Sequence, residues 1–586
     1  MKTLPSVDVV IVGGGWTGLL MAKELGSRTG LSVVVLERGS SRSTEDYAVQ
    51  MDELNTLHFR MMQDLSQETV TMRHSSAEAA VPLRQHGAFL PGSGIGGAGE
   101  HWGGWFPRFL PDTFLLRSRI LEKYGKNRFS VETSVEDWGL TYEELEPFYT
   151  RAEFLVGASG KAGNLRGKLI DGGNIFEGPR STEYPTPPTK IPYIASLFKD
   201  ATKSLGYHPY PLPTATSSTS FTNPDGVTRP GCTYCGFCDR YGCMIGAKAQ
   251  PTNTLLPVIT RHKNVSIRTA SWVRRIVRSV AGGKVKATGV TYVDANGEEV
   301  FQPAELVILA SWTLNNNRLL LLSGIGEPYD ATTGKGNLGR NLTHQVSMAL
   351  VTLFFDKPLN RFMGSAGAGI RVSDLDSDLI DKTHLPFLQG GSFNVSNLTT
   401  GPIANFGILP PSVKTRWGSE WKKQALYHYD RTAGIRFAGE HFAYKGNYMD
   451  LDPRYKDQFG DPLLRMTIDW RENEWKMVEF MAMKAMEIGR AMGAKDVVPF
   501  SGFHTYDAKR YQSSHVQGGT IMGTRPDHSV LNTYLQHWNV SNLFVLGASS
   551  FPQNASPNPT ATILAMTYRT ADALVERYLK SPGPLA

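Results

Sequence analysis

Val7-Asp8-Val9-Val10-Ile11-Val12-Gly13-Gly14-Gly15-Trp16-Thr17-Gly18 is a run of β-branched residues that ends abruptly in glycine. The apolar run predicts a buried strand, and Leu19-Leu20-Met21-Ala22-Lys23-Glu24-Leu25 predicts the helix that follows. A second apolar run, Ser32-Val33-Val34-Val35-Leu36, ends in Glu37. Strand, glycine turn, helix and strand form a complete βαβ unit of the dinucleotide-binding kind. In such a unit Gly13 permits the tight turn, Gly15 lets backbone approach a pyrophosphate, and Gly18 lets the helix pack on the strand. The helix N-terminus offers N–H donors and partial positive charge to the phosphates. Glu37 stands where a carboxylate accepts ribose hydroxyls, which argues against the 2′-phosphate of NADP. These residues do not separate FAD from NAD.

The 586-residue chain is 41% hydrophobic and 20% charged, which allows a large core and several domains. A net charge of +7 is mild at this size, and no Lys/Arg block is long enough to follow a phosphate backbone. No nucleic-acid partner is therefore expected. No apolar run is long enough for a membrane-spanning helix, and Met1–Asp8 lacks the apolar region of a signal peptide. Any membrane attachment or export signal is expected from elsewhere.

All four cysteines lie in Cys232-x-x-Cys235-x-x-Cys238-x₄-Cys243. Four thiols in one short segment read as one ligand set rather than a scattered disulfide framework. The spacing is near the bacterial ferredoxin pattern, with four residues before the last cysteine and no proline after it. An iron–sulfur centre, a structural zinc and disulfides all remain open on spacing alone.

Further motifs stand along the chain: Gly94-Ile95-Gly96-Gly97-Ala98-Gly99-Glu100-His101-Trp102-Gly103-Gly104, Leu338-Gly339-Arg340-Asn341-Leu342-Thr343-His344, and a block from His515 to Asp572. With the N-terminal turn, these resemble the glucose–methanol–choline (GMC) oxidoreductases. The resemblance implies FAD rather than NAD. It implies an α/β fold with a discontinuous Rossmann-like FAD-binding domain and a second α+β substrate domain built on an antiparallel sheet. The expected divisions are 1–345 (holding the 228–248 cysteine loop) and 506–586 for the flavin domain, and 346–505 for the substrate domain. Val265–Arg268, Ala287–Val293 and Glu305–Ala310 are predicted strands, with a hairpin turn at Asp294-Ala295-Asn296-Gly297. The 346–505 interval reads as aromatic-rich and irregular.

Ser513-Ser514-His515-Val516-Gln517-Gly518-Gly519-Thr520 resembles the family's histidine loop, and Ser556-Pro557-Asn558-Pro559-Thr560 its second active-site segment. Alcohol oxidation by hydride loss needs a base near pKa 7 for the hydroxyl proton, a task suited to histidine. The expected roles are His515 as base and Asn558 as the group that orients substrate oxygen. The resemblance also implies flavin contacts at Gly96, Gly97, His101, Trp102, Gly547, Ala548, Asn558, Pro559 and Thr560. Relatives often carry Asp at the position of Gly547. In some relatives a histidine in the setting of His101 is bonded covalently to the flavin and in others it is not, so both arrangements remain open.

The cysteine loop narrows the resemblance to flavin subunits of bacterial membrane-bound sugar and sugar-acid dehydrogenases, chiefly the gluconate-oxidising kind. That branch implies a [3Fe–4S] cluster held by three of the four cysteines, the non-ligand being undetermined. It implies oxidation of a small polar substrate, gluconate to 2-ketogluconate in type, with electrons passing to a membrane-bound cytochrome c subunit and then to quinone. It also implies a small subunit carrying the export signal, and a place on the periplasmic face of the inner membrane. The rival expectations are a glucose, fructose or sorbitol dehydrogenase, an O₂-using oxidase without the cluster, a cytoplasmic enzyme, or a non-catalytic flavin-binding protein.

Overall fold

The computed structural model describes residues 1–43, 46, 69–84, 89, 91–361, 363–397, 406–502, 504–508 and 514–585. Ser513, at the start of the expected histidine loop, lies outside the described residues. The first sheet runs in the order Val265–Arg268, Val33–Leu36, Val7–Val12, Glu299–Leu309, Lys284–Val293, Trp272–Ala281. Glu299–Leu309 changes partners along its length. Its second half pairs in parallel with Val7–Val12 and with Leu543–Val545, and its first half pairs antiparallel with Lys284–Val293. The Asp294–Gly297 hairpin forms as expected, with Gly297 at φ +80°.

The predicted first helix spans Trp16–Arg28, with every residue from Trp16 to Gly26 buried. Such a helix is apolar on more than one face because it packs between the sheet and the Thr560–Ala573 helix. These elements share one core with Val9–Val12, Val33–Leu36 and Leu306–Leu309.

The 346–505 interval is more regular than its sequence suggests. It supplies Val346–Phe354, Gly369–Val372, Gly391–Ser396, Thr432–Gly439 and Asp496–Pro499 to an antiparallel second sheet, completed at its edge by Tyr210–Pro211. Side chains alternate across a strand. Ile370, Val372, Phe393, Val395, Ile435 and Phe437 point to one face and form a second core with Met477, Val478, Met481 and Ile488 of the Glu472–Ala491 helix. Tyr448–Lys456 and Pro462–Thr467, from the same interval, instead join a third sheet with Arg340–His344 and Val516–Gly519. In that sheet His344 pairs with Val516, which brings the Leu338–His344 motif beside His515.

Candidate active site

An elongated cavity opens at the carboxyl ends of four parallel strands of the first sheet. Its walls include Gly13 after the first strand, Glu37 after Val33–Leu36, Ser311 and Trp312 after Glu299–Leu309, and Gly547 after Leu543–Val545. This is the crevice where open α/β sheets bind ligands. Of the expected cofactor residues, Gly13, Gly15, Glu37, Gly96, Gly97, Trp102, Gly547, Ala548, Pro559 and Thr560 wall the cavity, and so does His515. Gly18, His101 and Asn558 do not.

The three glycines of the turn do different work. A Cβ on Gly18 would lie 2.0 Å from the Gly13 carbonyl oxygen, and one on Gly13, at φ +105°, 2.5 Å from that of Ala310. Both are steric requirements of the fold. A Cβ on Gly15 would meet only the Gly96 carbonyl, at 4.0 Å. Gly15 is the N-cap of the first helix and lends it no side-chain hydrogen bond, so the helix's first N–H groups face a cradle open to a phosphate. The dinucleotide fits this chain. Glu37 already accepts hydrogen bonds from Gly14 N (2.9 Å), Gly39 N (2.8 Å) and Gly94 N (3.2 Å). A carboxylate has about four acceptor positions, which leaves room for one ribose hydroxyl.

At the other end, His515 is held by a residue the motifs did not mark. Its Nδ1 lies 2.6 Å from Gln345 Oε1. The Gln345 amide nitrogen donates to the carbonyls of Ala555 (3.1 Å), Ser556 (2.6 Å) and Pro557 (3.3 Å). Only an NH₂ group can serve three carbonyls, so the amide oxygen must face the histidine and Nδ1 must donate. That fixes the tautomer with its lone pair on Nε2. Burial, and then the charges of His344 and Arg436, hold the imidazole down at about 3, well below the near-neutral value expected. It is therefore neutral throughout the ordinary pH range, with its lone pair free, and is a weaker base than the near-neutral one the chemistry calls for. Asn558 follows the loop that Gln345 grips; it is buried, and its Oδ1 has no hydrogen-bond partner among the described residues. Trp312, also unmarked by motif, donates its indole N–H to the Ser514 carbonyl at 3.3 Å.

The cysteine loop docks directly behind the cavity wall. Arg240 N donates to the His101 carbonyl at 2.7 Å, and Lys248 Nζ donates to the carbonyls of Trp102 (2.6 Å), Cys238 (2.8 Å) and Tyr241 (2.7 Å). His101 thus sits between this loop and Trp102, which lines the cavity. All four cysteines are free thiols; Cys238 and Cys243 are buried, and Cys232 and Cys235 partly so. Burial pushes the Cys232 thiol up to about 11 and Cys238 higher. Among the described residues no three His, Cys, Asp or Glu side chains converge closely enough to hold an ion as they stand. The loop's surroundings are nevertheless cationic. Lys248 and Arg229 are buried, donate to carbonyls, and pair with no carboxylate among the described residues. Burial lowers both, Arg229 to about 10. Asp239 and Glu100 bring negative charge near Lys248 without an ion pair among the described residues; buried cations in that setting suit an anionic thiolate-bound centre better than neutral disulfides.

Residues 223–347 and 443–567 match the GMC oxidoreductase family models, and residues 6–85 match an FAD binding domain. The chain is 43% identical to a gluconate 2-dehydrogenase flavoprotein of Pantoea cypripedii, over 99% of this chain and 95% of that one. It is 24% identical to the fructose dehydrogenase large subunit of Gluconobacter japonicus, over 97% and 98% of the two chains. It is 26% identical to a 2-methyl-1,2-propanediol dehydrogenase of Mycolicibacterium austroafricanum, over 83% and 81%. In fold it is similar to a formate oxidase of Aspergillus oryzae RIB40 (TM-score 0.60, 15% identity, 99% of both chains). It is also similar to a pyridoxine 4-oxidase of Mesorbium loti (TM-score 0.58, 18% identity, 97% and 99%).

Proposed function

This chain belongs to the GMC oxidoreductase family as an FAD-dependent dehydrogenase of the alcohol or sugar type, and on that premise we propose that it oxidises the C2 alcohol of gluconate to 2-ketogluconate. FAD, when bound, supplies the two-electron acceptor for the C–H bond. The Gly13–Gly18 turn and the helix N-terminus hold its pyrophosphate, and Glu37 its ribose. Gly96, Gly97, Trp102, Gly547, Ala548, Pro559 and Thr560 wall the remainder; His101, next to Trp102 but not on the wall, is the residue to test for a covalent bond. His515 Nε2 takes the hydroxyl proton, and Asn558 orients the substrate oxygen.

The observation that carries this reading is His515 on the cavity wall with Gln345 behind it, in a chain 43% identical to a gluconate 2-dehydrogenase flavoprotein. The test is anaerobic mixing of the purified protein with gluconate, glucose and sorbitol, followed by product analysis. Gluconate is expected to bleach the flavin and yield 2-ketogluconate, and His515→Ala to lower turnover by about 10²–10⁴-fold. Oxidation of glucose or sorbitol but not gluconate would overturn the substrate. Acid precipitation decides between the two arrangements: colour in the pellet that His101→Ala moves to the supernatant establishes the bond, and wild-type colour in the supernatant excludes it.

In the same reading Cys232, Cys235, Cys238 and Cys243 surround a [3Fe–4S] centre, with three of them as ligands. Such a centre, when bound, carries electrons singly to a haem acceptor. The Lys248 Nζ bridge between the Trp102 and Cys238 carbonyls, and the buried cations around the loop, support this placement. The onward path runs to a membrane-bound cytochrome c subunit and to quinone. Among the described residues no helix is long and apolar enough to cross a membrane, and here a small signal-bearing subunit and the cytochrome hold the protein at the periplasmic face. Iron and labile-sulfide analysis with an electron paramagnetic resonance spectrum decides it; a yellow protein free of iron would sink the electron route.

A further inference from the structure

Arg371, Asn394 and Arg436 are direct cross-strand partners on three adjacent strands of the second sheet. Directly opposed residues share a face, so the three side chains form one row. It is the face turned away from the second core. Ser392, two residues from Asn394 and therefore on the same side, lies with its hydroxyl 3.2 Å from that of Ser556. Arg371 Nη2 also donates to Ser556 Oγ, at 3.3 Å. The row therefore lies against the Ser556–Thr560 loop that carries Asn558.

This row is polar, deep and unsatisfied. Arg371 and Asn394 are each 1% exposed. Arg371 Nε and Nη1, both polar atoms of the Asn394 amide, and Arg436 Nε have no hydrogen-bond partner among the described residues. Arg436 is half-buried, stands 5.7 Å over the Trp105 ring, and makes no ion pair among the described residues. Asp376 lends Arg371, and Asp239 lends Arg436, a neighbouring negative charge without a hydrogen bond to it among the described residues; the open donors of both guanidinium groups and the Asn394 amide are equipped to receive a ligand rich in acceptor oxygens.

We propose that this row is the recognition surface for the sugar acid, with Arg436 pairing its carboxylate and Asn394 and Arg371 taking the hydroxyls of its chain. The inference rests on the reading of gluconate as substrate and adds which residues select it. The chemistry of the substrate decides the order along the row. In oxidation at C2 the carboxylate carbon is bonded to the reacting carbon, so its cation must stand near the base. Arg436 is the member of the row whose charge reaches His515. Adjacent strands are about 4.8 Å apart, so the three-residue row spans roughly 10 Å, enough for a six-carbon chain laid across it.

The test compares gluconate with sorbitol, a polyol of the same length without the carboxylate, on the intact flavoprotein. Arg436→Gln is expected to raise KM for gluconate about 10–100-fold, the worth of a charge-assisted hydrogen-bonded pair, with KM for sorbitol changed less than about threefold. Arg436→Lys should restore part of the gluconate KM. Asn394→Leu should raise KM for both substrates alike, because the amide meets hydroxyls that both possess. Flavin content identical to wild type shows that each variant has folded; should Arg436→Gln lose its flavin, Arg436→Lys carries the test, with gluconate selectivity expected between wild type and none. An equal loss on gluconate and sorbitol in a flavin-replete Arg436 variant, or an unchanged gluconate KM, would overturn the proposal. A wild type that oxidises sorbitol but no aldonate would instead remove the substrate reading, and the row's role with it.

Discussion

The two ends of the active site are built in opposite ways. The nucleotide end is made of backbone: the carboxyl ends of parallel strands, glycines without side chains, and the first turn of a helix. The substrate end is made of side chains that reach across the fold, as Gln345 spans 170 residues to His515 and more than 200 to the Ser556 loop. A backbone-built site tolerates almost no added atom at its glycines, whereas a side-chain-built site can lose one group and keep its fold. The first should fail by not forming, the second by working badly.

The largest expected effect tests the first half of that contrast. Gly18→Val places a Cβ against the Gly13 carbonyl, and no folded flavoprotein should be recovered. Gly15→Ala finds open space instead; it should keep its circular dichroism spectrum and yet lose bound flavin, because the new methyl occupies the cradle. If both variants fold, or both fail to, the distinction between a steric glycine and a ligand-facing one is wrong. Next comes the second half. Gln345→Leu should fold and hold flavin while kcat falls by about 10²-fold, the cost of a small misplacement of a reacting group. A fall shared with thermal stability would make Gln345 structural only.

How much of this could be read beforehand follows the same division. The Gly13–Gly18 turn was legible because backbone sites leave glycine at fixed spacing, and the βαβ unit and the hairpin at Gly297 followed from local pattern. Gln345 was not legible, since it acts through two loops that only tertiary folding brings to it. Trp312 follows a buried strand just as Gly13 does, and its place after Glu305–Ala310 was the signal that could have found it. The row of Arg371, Asn394 and Arg436 was hidden for another reason. Ser392-Phe393-Asn394-Val395-Ser396 alternates cleanly, and alternation says that one face is polar without saying what covers it. What lies against its Arg371 and Ser392 end is the Ser556 loop, far along the chain.

The pH profile offers a smaller effect that probes the substrate end without relying on KM. His515 is held near 3 by burial and by neighbouring positive charge, and a base works only while neutral. Wild-type kcat/KM should therefore show no loss from this group as the pH falls to about 5. Arg436→Gln removes one of the charges that disfavour the protonated imidazole, so the histidine's pKa rises. The acid limb should then move to higher pH, measurable with sorbitol, for which the carboxylate contact is irrelevant. An unmoved limb would mean that burial alone holds His515 neutral.

The smallest effect lies where the two halves meet. Trp312 caps the start of the Thr313–Ser323 helix at φ +73°, a backbone setting unusual for a residue with a side chain. Its side chain lines the cavity and packs against the second core, and its N–H reaches the substrate end through Ser514, next to the base. At 3.3 Å that hydrogen bond is long, and an ordinary one is worth about 0.5–1.5 kcal/mol. Trp312→Phe keeps an aromatic ring at the wall and deletes only the donor. Flavin content should be unchanged, and kcat should fall by roughly 2–10-fold. A loss as deep as that of Gln345→Leu would show that the His515 loop is positioned from the nucleotide side as well, and the two ends would have to be treated as one unit.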